Sequence, residues 1–358
     1  MSAANLSTTK PLTTIASRMG GYDDAWLEKT KEDVLEPDLA ICDPHHHLWD
    51  FANYPYLLRE ILADTNSGHK IESTVFLECT AAFRADGPEE MKVLGETEFV
   101  NGIAALSAGG NYGPTRIAAG IVGLAELRLG GRVEEVLRAH VAACGGPKGR
   151  FKGIRYAAAW DDKEPGIHIS HTNPSRHMYR DDARFHEGFA VLGKVGLTFD
   201  AWLYHPQIPD LTALARKFPA QPIVLDHVGG PLGLGFYAGR REEVFAEWKQ
   251  SIVELSACPN VHVKLGGLGM RVNGFDFQKK PWPPSSLELA AAWKPYVETC
   301  IEAFGAERCM FESNFPVDKL SGSYRTYWNA FKRLASGASA ADKALLFRDT
   351  ARAFYKLS

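Results

Sequence analysis

Three consecutive histidines, His45, His46 and His47, sit between Asp43-Pro44 and Leu48-Trp49. On an extended strand, residues two apart share a face. His45 and His47 then look one way and His46 the other. Two imidazoles converging from one strand end suit a divalent metal or a polarised carbonyl. A structural hydrogen bond at one or both rings is the plainer alternative. Aromatic side chains accompany them at the ends of other apolar runs: Trp49, Phe83, Trp160, Trp202, Tyr204 and Phe315. Packing accounts for any one of these. Together they favour a ring-bearing or carboxylated small substrate.

The elements that must position these residues follow from periodicity. Short apolar runs recur at 40–45, 73–79, 116–122, 151–157, 196–204, 222–228, 261–266 and 308–313, and each reads as a strand. Amphipathic stretches alternate with them. One opens at Pro88, others cover 132–143, 209–218, 241–256 and 286–304, and two more near 324–335 and 339–355 close the chain. Strand–helix alternation implies a parallel sheet, and eight units imply closure into a (β/α)8 TIM barrel. An open doubly wound sheet is the alternative, weakened because no GxGxxG follows the first strand. Residues 1–38 read as a polar N-terminal arm, mobile or wrapping, and 39–358 as one barrel domain. Long loops at 158–180 (with His168, His171 and His177), 229–241 and 268–285 (with Arg271) would roof the C-terminal face. The three loop histidines read as solvated or as closing over the substrate.

Five segments in order resemble the amidohydrolase superfamily, in its amidohydrolase 2 branch of TIM-barrel lactonases and related metal-dependent hydrolases. They are DPHHHLWD at 43–50, FKGIR at 151–155, VLDHVGGP at 224–231, VHVKLGGL at 261–268 and MFESNFPVD at 310–318. The likeness covers about residues 40–355. It implies a site built from His45, His47, Arg155 and His227. Arg155 would grip a substrate carboxylate or a developing oxyanion. His227 would act as general base or polarise the carbonyl, while Asp226 on the other strand face would be a structural partner. His205 matches a metal ligand of metal-dependent relatives, so a zinc or manganese site would use His45, His47 and His205. Trp49, Trp160, Trp202, Tyr204 and Arg271 would contact the substrate.

The pattern departs from the family at Asn314, where relatives carry the aspartate that activates water or ligates metal. An amide is no base. Glu312, Glu78 and Asp318 are the candidate substitutes. Glu312 lies one layer deeper on Asn314's face and needs a cation such as Arg155 or Lys264, or else a proton. Three functions remain open. The first is a lactonase. The second is a metal-dependent hydrolase or decarboxylase of the same superfamily, with Glu78 or Asn314 completing the shell. The third is a barrel that binds without turnover.

Composition narrows the partners. The chain has 358 residues, with 40 Lys+Arg against 43 Asp+Glu and a formal net charge of -3. No basic stripe suits nucleic acid. No apolar run suits a membrane span. The N-terminus lacks the apolar stretch of a secretory signal. The six cysteines form no CxxC pair and read as buried apolar residues in a reducing, cytoplasmic compartment. A homo-oligomer is compatible with the sequence.

Overall fold

Eight parallel strands wound in sequence order form the centre of the molecule. The structure, a computed structural model, describes residues 21–51, 54–164, 167, 172 and 174–357. The barrel strands are β1 (Ala40–His46), β4 (Lys70–Leu77), β5 (Arg116–Gly123), β6 (Phe151–Arg155), β7 (Thr198–Ala201), β8 (Ile223–Leu225), β9 (Val261–Leu265) and β10 (Cys309–Phe311). Between the first two lies an antiparallel hairpin, β2 (Trp49–Phe51) with β3 (Tyr54–Tyr56). The sequence pattern did not disclose it. The ladder closes where β10 meets β1. There Asn314 N–H donates to His45 O (2.9 Å) and His47 N–H to Phe315 O (2.8 Å), around a bridge between His46 and Phe315. The expected (β/α)8 architecture is therefore the observed one.

The expected strands fall at their places, and several stop earlier. β7 ends at Ala201 and β8 at Leu225, so the alternation expected along 196–204 and through Leu225-Asp226-His227 does not hold. Asp226 to Gly229 form a tight turn in which His227 has φ 56°. Its imidazole is aimed by that turn, not by strand pleat. On β1 the register with β4 slips between Asp43 and His46, next to Pro44, which has no N–H to donate.

Two packed layers result. Cys42, Val75, Leu77, Val122, Val224 and Met310 fill the barrel with Phe354 and Tyr355 from the chain's end. The other strand face meets the helices in one large apolar cluster that includes Phe76, Phe199, Leu225, Val263 and Phe311.

The helix expected from Pro88 begins later. Glu89–Met91 is a single 3-10 turn, and the α-helix runs Leu94–Ala108. Ala183–Val195 is a further helix, N-capped by Asp182, which accepts from Phe185 N–H at 3.0 Å. The segment 286–304 is helical as expected, opened by a reciprocal Ser285–Glu288 cap. The final segment is broken by a wider turn at Leu345–Asp349.

Of the arm, residues 1–20 lie outside the described residues. Residues 21–38 lie across the barrel's flank. Trp26 Nε1 donates to Lys280 O, Leu35 N to Asn329 Oδ1, and Lys332 Nζ to the carbonyls of Leu35 and Glu36. Among the described residues no helix is long and apolar enough to cross a membrane.

Candidate active site

The strand ends bring together His45, His47, Glu78, Arg155, Asp226, His227, Lys264 and Glu312, all buried. Each lies at or just beyond the C-terminal end of its strand, where barrel enzymes carry their chemistry. His46 turns away as expected, its Nε2 2.8 Å from Thr74 Oγ1, and burial lowers its pKa to about 3.

Arg155 is held by two carboxylates. Its Nε donates to Glu78 Oε1 (2.7 Å) and its Nη2 to Glu78 O (2.5 Å). Nη1 lies 3.7 Å from Asp226 Oδ2. Burial works against the guanidinium, but Glu78 and Asp226 raise its pKa further. Nη1 also donates to His45 Nε2 at 3.4 Å. Lys264 Nζ lies 3.2 Å from the other ring nitrogen, Nδ1, so a cation faces each side of the ring. Nδ1 lies 2.8 Å from Glu312 Oε2. Burial, then the charge of Lys264, push the His45 pKa well below the usual histidine range.

On His47 the tautomer is set by a backbone carbonyl. Its Nδ1 meets Leu77 O at 2.9 Å, and a carbonyl only accepts. Nε2 is thus an acceptor, and burial followed by Arg155 keep the ring neutral. His47 stacks on Trp49 with centroids 5.9 Å apart.

His227 meets Glu312 twice. Its N–H donates to Oε1 (3.0 Å), and its Nδ1 lies 2.7 Å from the same oxygen. The rings of His45 and His227 are 4.4 Å apart. Trp202 meets the His227 ring edge-on at 4.8 Å. Two glycines make the cluster possible. A Cβ at Gly266 would collide with Glu312, and one at Gly267 (φ 67°) with the His227 ring.

Lys264 anchors the floor. Its Nζ is 2.7 Å from Asp200 Oδ2 and 3.0 Å from Asp226 Oδ1. Tyr355 OH donates to the same Asp200 oxygen at 2.6 Å. Burial opposes charge on Asp226, but Lys264, His227 and Arg155 hold its carboxyl below the usual range. Burial also opposes Glu312, and His227 and His45 bring its pKa down to about 2. Glu312 is therefore held as a carboxylate against the rings of His227 and His45. Of the cations expected for it, Arg155 pairs with Glu78, and Lys264 with Asp200 and Asp226.

Other expected residues stand apart. Asn314 (φ 55°) uses its Nδ2 to donate to Asp318 Oδ1 at 2.9 Å. Its Oδ1 is buried and has no hydrogen-bond partner among the described residues. Asp318, far from being a free base, is fully buried, and burial raises its pKa well above the carboxylate range. Tyr204 donates to Ile167 O. Trp160 is half-buried, with Arg176 5.9 Å over its ring. Arg271 is exposed, in a turn after β9. His177 pairs with Asp210 at 2.9 Å. His168 and His171 lie outside the described residues.

The expected metal set is not brought together. His205 accepts from Leu232 N–H on Nδ1 (3.3 Å) and packs edge-on to Tyr237. Among the described residues, the group whose ligand atoms lie within 4.8 Å of one another is His45, His227 and Glu312. Its donor types suit zinc, but its packing does not. Ligands at about 2.0–2.1 Å from a tetrahedral ion lie roughly 3.3 Å apart. Here the nitrogens and oxygens are at hydrogen-bond distance, 2.7 and 2.8 Å. Both ring nitrogens of His45 also face cations: Lys264 Nζ at 3.2 Å and Arg155 Nη1 at 3.4 Å. As packed, these residues do not fit a divalent ion.

Comparison with known proteins decides the family. The sequence profile of the family described as "Amidohydrolase" matches residues 42–357. The chain belongs to that family. It is accordingly a hydrolase-type enzyme, as the five motifs imply. It is 31% identical to the uncharacterized protein y4mH of Sinorhizobium fredii (89% of this chain, 99% of that one). It is 30% identical to an L-fucono-1,5-lactonase of Burkholderia multivorans (88% and 95%). Among solved structures, an amidohydrolase from Burkholderia multivorans with bound HEPES is similar, at 25% identity and TM-score 0.68 (89% and 100%).

Only part of this constellation could be read in advance. Lys264 reads as a possible cation for Glu312, but the sequence does not foretell its pairing with Asp200. Their signal was a charged residue inside each of two apolar runs, TFDA and VHVKL, which normally requires a buried partner.

Proposed function

We propose that the protein hydrolyses a lactone of a small polyhydroxylated or carboxylated acid, without a metal. The observation that carries the reading is the His227–Arg155 pair of roles at one barrel mouth. His227 has Nδ1 at a carboxylate, and among the described residues nothing bonds its Nε2. Arg155 is a permanently charged donor at His45, whose ring packs against that of His227. Similarity to an L-fucono-1,5-lactonase over nearly its whole length supports the bond class.

Nucleophilic side chains nearby are occupied. Lys264 is held as an ammonium by two carboxylates, and Ser313 Oγ donates to His45 O. Water is therefore the nucleophile. Its proton passes to His227 Nε2 as its oxygen bonds to the lactone carbonyl carbon. The C=O electron pair moves to oxygen, where the Arg155 guanidinium stabilises the developing charge. The pair then re-forms the carbonyl and expels the ring oxygen. That oxygen takes the proton from His227 and leaves as the hydroxyl of a hydroxy acid. The acceptor Nε2 of His47 suits a substrate hydroxyl, and Trp202 offers ring surface beside His227, while Trp49 is fully buried behind His47.

Hydrolysis releases one acid proton per turnover, so a pH-indicator assay over five- and six-membered aldonolactones and carboxylated lactones tests the reading. Turnover above the spontaneous rate, lost in His227→Asn, is expected. No turnover across the panel, or turnover indifferent to His227, would refute it.

A further inference from the structure

We infer that Glu312 is the positioning residue that replaces the absent strand-end carboxylate, fixing the His227 proton on Nδ1 so that the ring turns a free Nε2 to the substrate. The inference rests on the hydrolytic reading above.

The chemistry begins with Asn314. An amide there cannot take a proton from water. The nearest carboxylate along the chain is two residues earlier and one layer deeper. It reaches no substrate, because it is fully buried beneath the two rings. It can act only through them. Oε1 receives both the N–H and the Nδ1 of His227, at 3.0 and 2.7 Å, while Oε2 lies 2.8 Å from His45 Nδ1 without a hydrogen bond to it. A carboxylate oxygen accepts and does not donate, so the His227 ring is biased to the Nδ1–H tautomer.

The two rings then diverge by what meets Nε2. On His45 that nitrogen already receives Arg155 Nη1, so His45 orients the guanidinium. On His227 nothing among the described residues meets it, so His227 is left to take the proton. A carboxylate that orients a histidine base and stabilises its imidazolium is a known physical device. Here it sits on the strand that normally supplies the base itself. Gly266 and Gly267 are part of the arrangement, since a side chain at either position would collide with Glu312 or His227.

The test needs no substrate for its first half. In full-length protein carrying 15N-histidine, ring-nitrogen shifts assigned through His45→Asn and His227→Asn variants report which nitrogen is protonated. His227 should show Nδ1–H and a bare Nε2. Glu312→Gln replaces the carboxylate with a neutral, weaker acceptor whose NH2 group can also turn to the ring, so the His227 tautomer should shift toward Nε2–H. With a lactone found in the panel above, Glu312→Gln should lower kcat by roughly 10²–10⁴-fold with KM within about threefold. Glu312→Asp, which keeps the carboxylate, should restore the tautomer and part of kcat. A His227 with Nε2–H in the native protein would overturn the inference. So would a Glu312→Gln enzyme with unchanged kcat, or one that loses kcat with the His227 tautomer intact. Should Glu312→Gln fail to fold, the native spectrum alone decides. Absence of any lactone turnover in native protein would refute the hydrolytic reading, while the spectra still judge the role of Glu312.

Discussion

Replacing Lys264 with methionine removes the cation that Asp200 and Asp226 share at 2.7 and 3.0 Å. All three side chains are fully buried, so solvent cannot take over. Breaking one partner from a buried pair typically costs about 3–5 kcal/mol. For 358 residues, the entropy of unfolding near the midpoint is on the order of 0.75 kcal/mol per degree. The expected fall in Tm is therefore roughly 4–7 °C at pH 8. The sign with pH follows from the two acids. In the native protein Asp226 is held below the usual carboxylate range by Lys264, His227 and Arg155. It adds stability that is present above about pH 4 and lost as pH falls. Asp200 is raised to about 6, chiefly by burial, so its contribution is present below about pH 4 and fades as pH rises through 6. Without Lys264 both carboxyls rise. The folded state then holds protons that the unfolded chain has released, and the deficit grows with pH. Scanning calorimetry of both proteins at pH 5 and pH 8 measures it. A deficit under about 1 °C at both pH values, or one larger at pH 5, would refute the reasoning.

Two further outcomes are expected. Glu96, which accepts from Cys79 N–H and Ala81 N–H on one oxygen, has a pKa raised to about 8 by burial and by Glu78. Its stabilising effect is fully present below about pH 4 and declines as pH rises through 8. Glu96→Gln keeps the acceptor and should be more stable than native protein by roughly 1–3 kcal/mol at pH 9, with no gain at pH 5, by urea unfolding. Gly267→Ala, at φ 67° and against the His227 ring, should lower kcat on the order of 10²-fold by shifting that ring. Its far-UV spectrum should match native, and full activity would show that the ring has room to spare.

The barrel was legible because its strands are continuous apolar runs and its helices carry caps and stripes that periodicity detects. That His45, His47, Arg155 and His227 gather at one barrel mouth was legible because the order of their motifs matches a known family. The aim of His227 was not, because it depends on a left-handed turn after β8 and not on strand alternation. The charge pairing was not legible either. Glu78, Asp200 and Asp226 lie far apart in sequence from Arg155 and Lys264, and only barrel closure decides which carboxylate meets which cation. His205 was misplaced because the shape of the β7 loop sends its ring to Leu232 and Tyr237.

The central claim is that water is activated by His227 and the oxyanion held by Arg155, with no divalent ion. Lactone hydrolysis by protein exhaustively treated with chelator, with residual metal measured by inductively coupled plasma mass spectrometry, tests it most directly. Undiminished kcat/KM at metal far below one equivalent is the expected result. Activity that disappears with the metal and returns with added zinc or manganese would contradict the account.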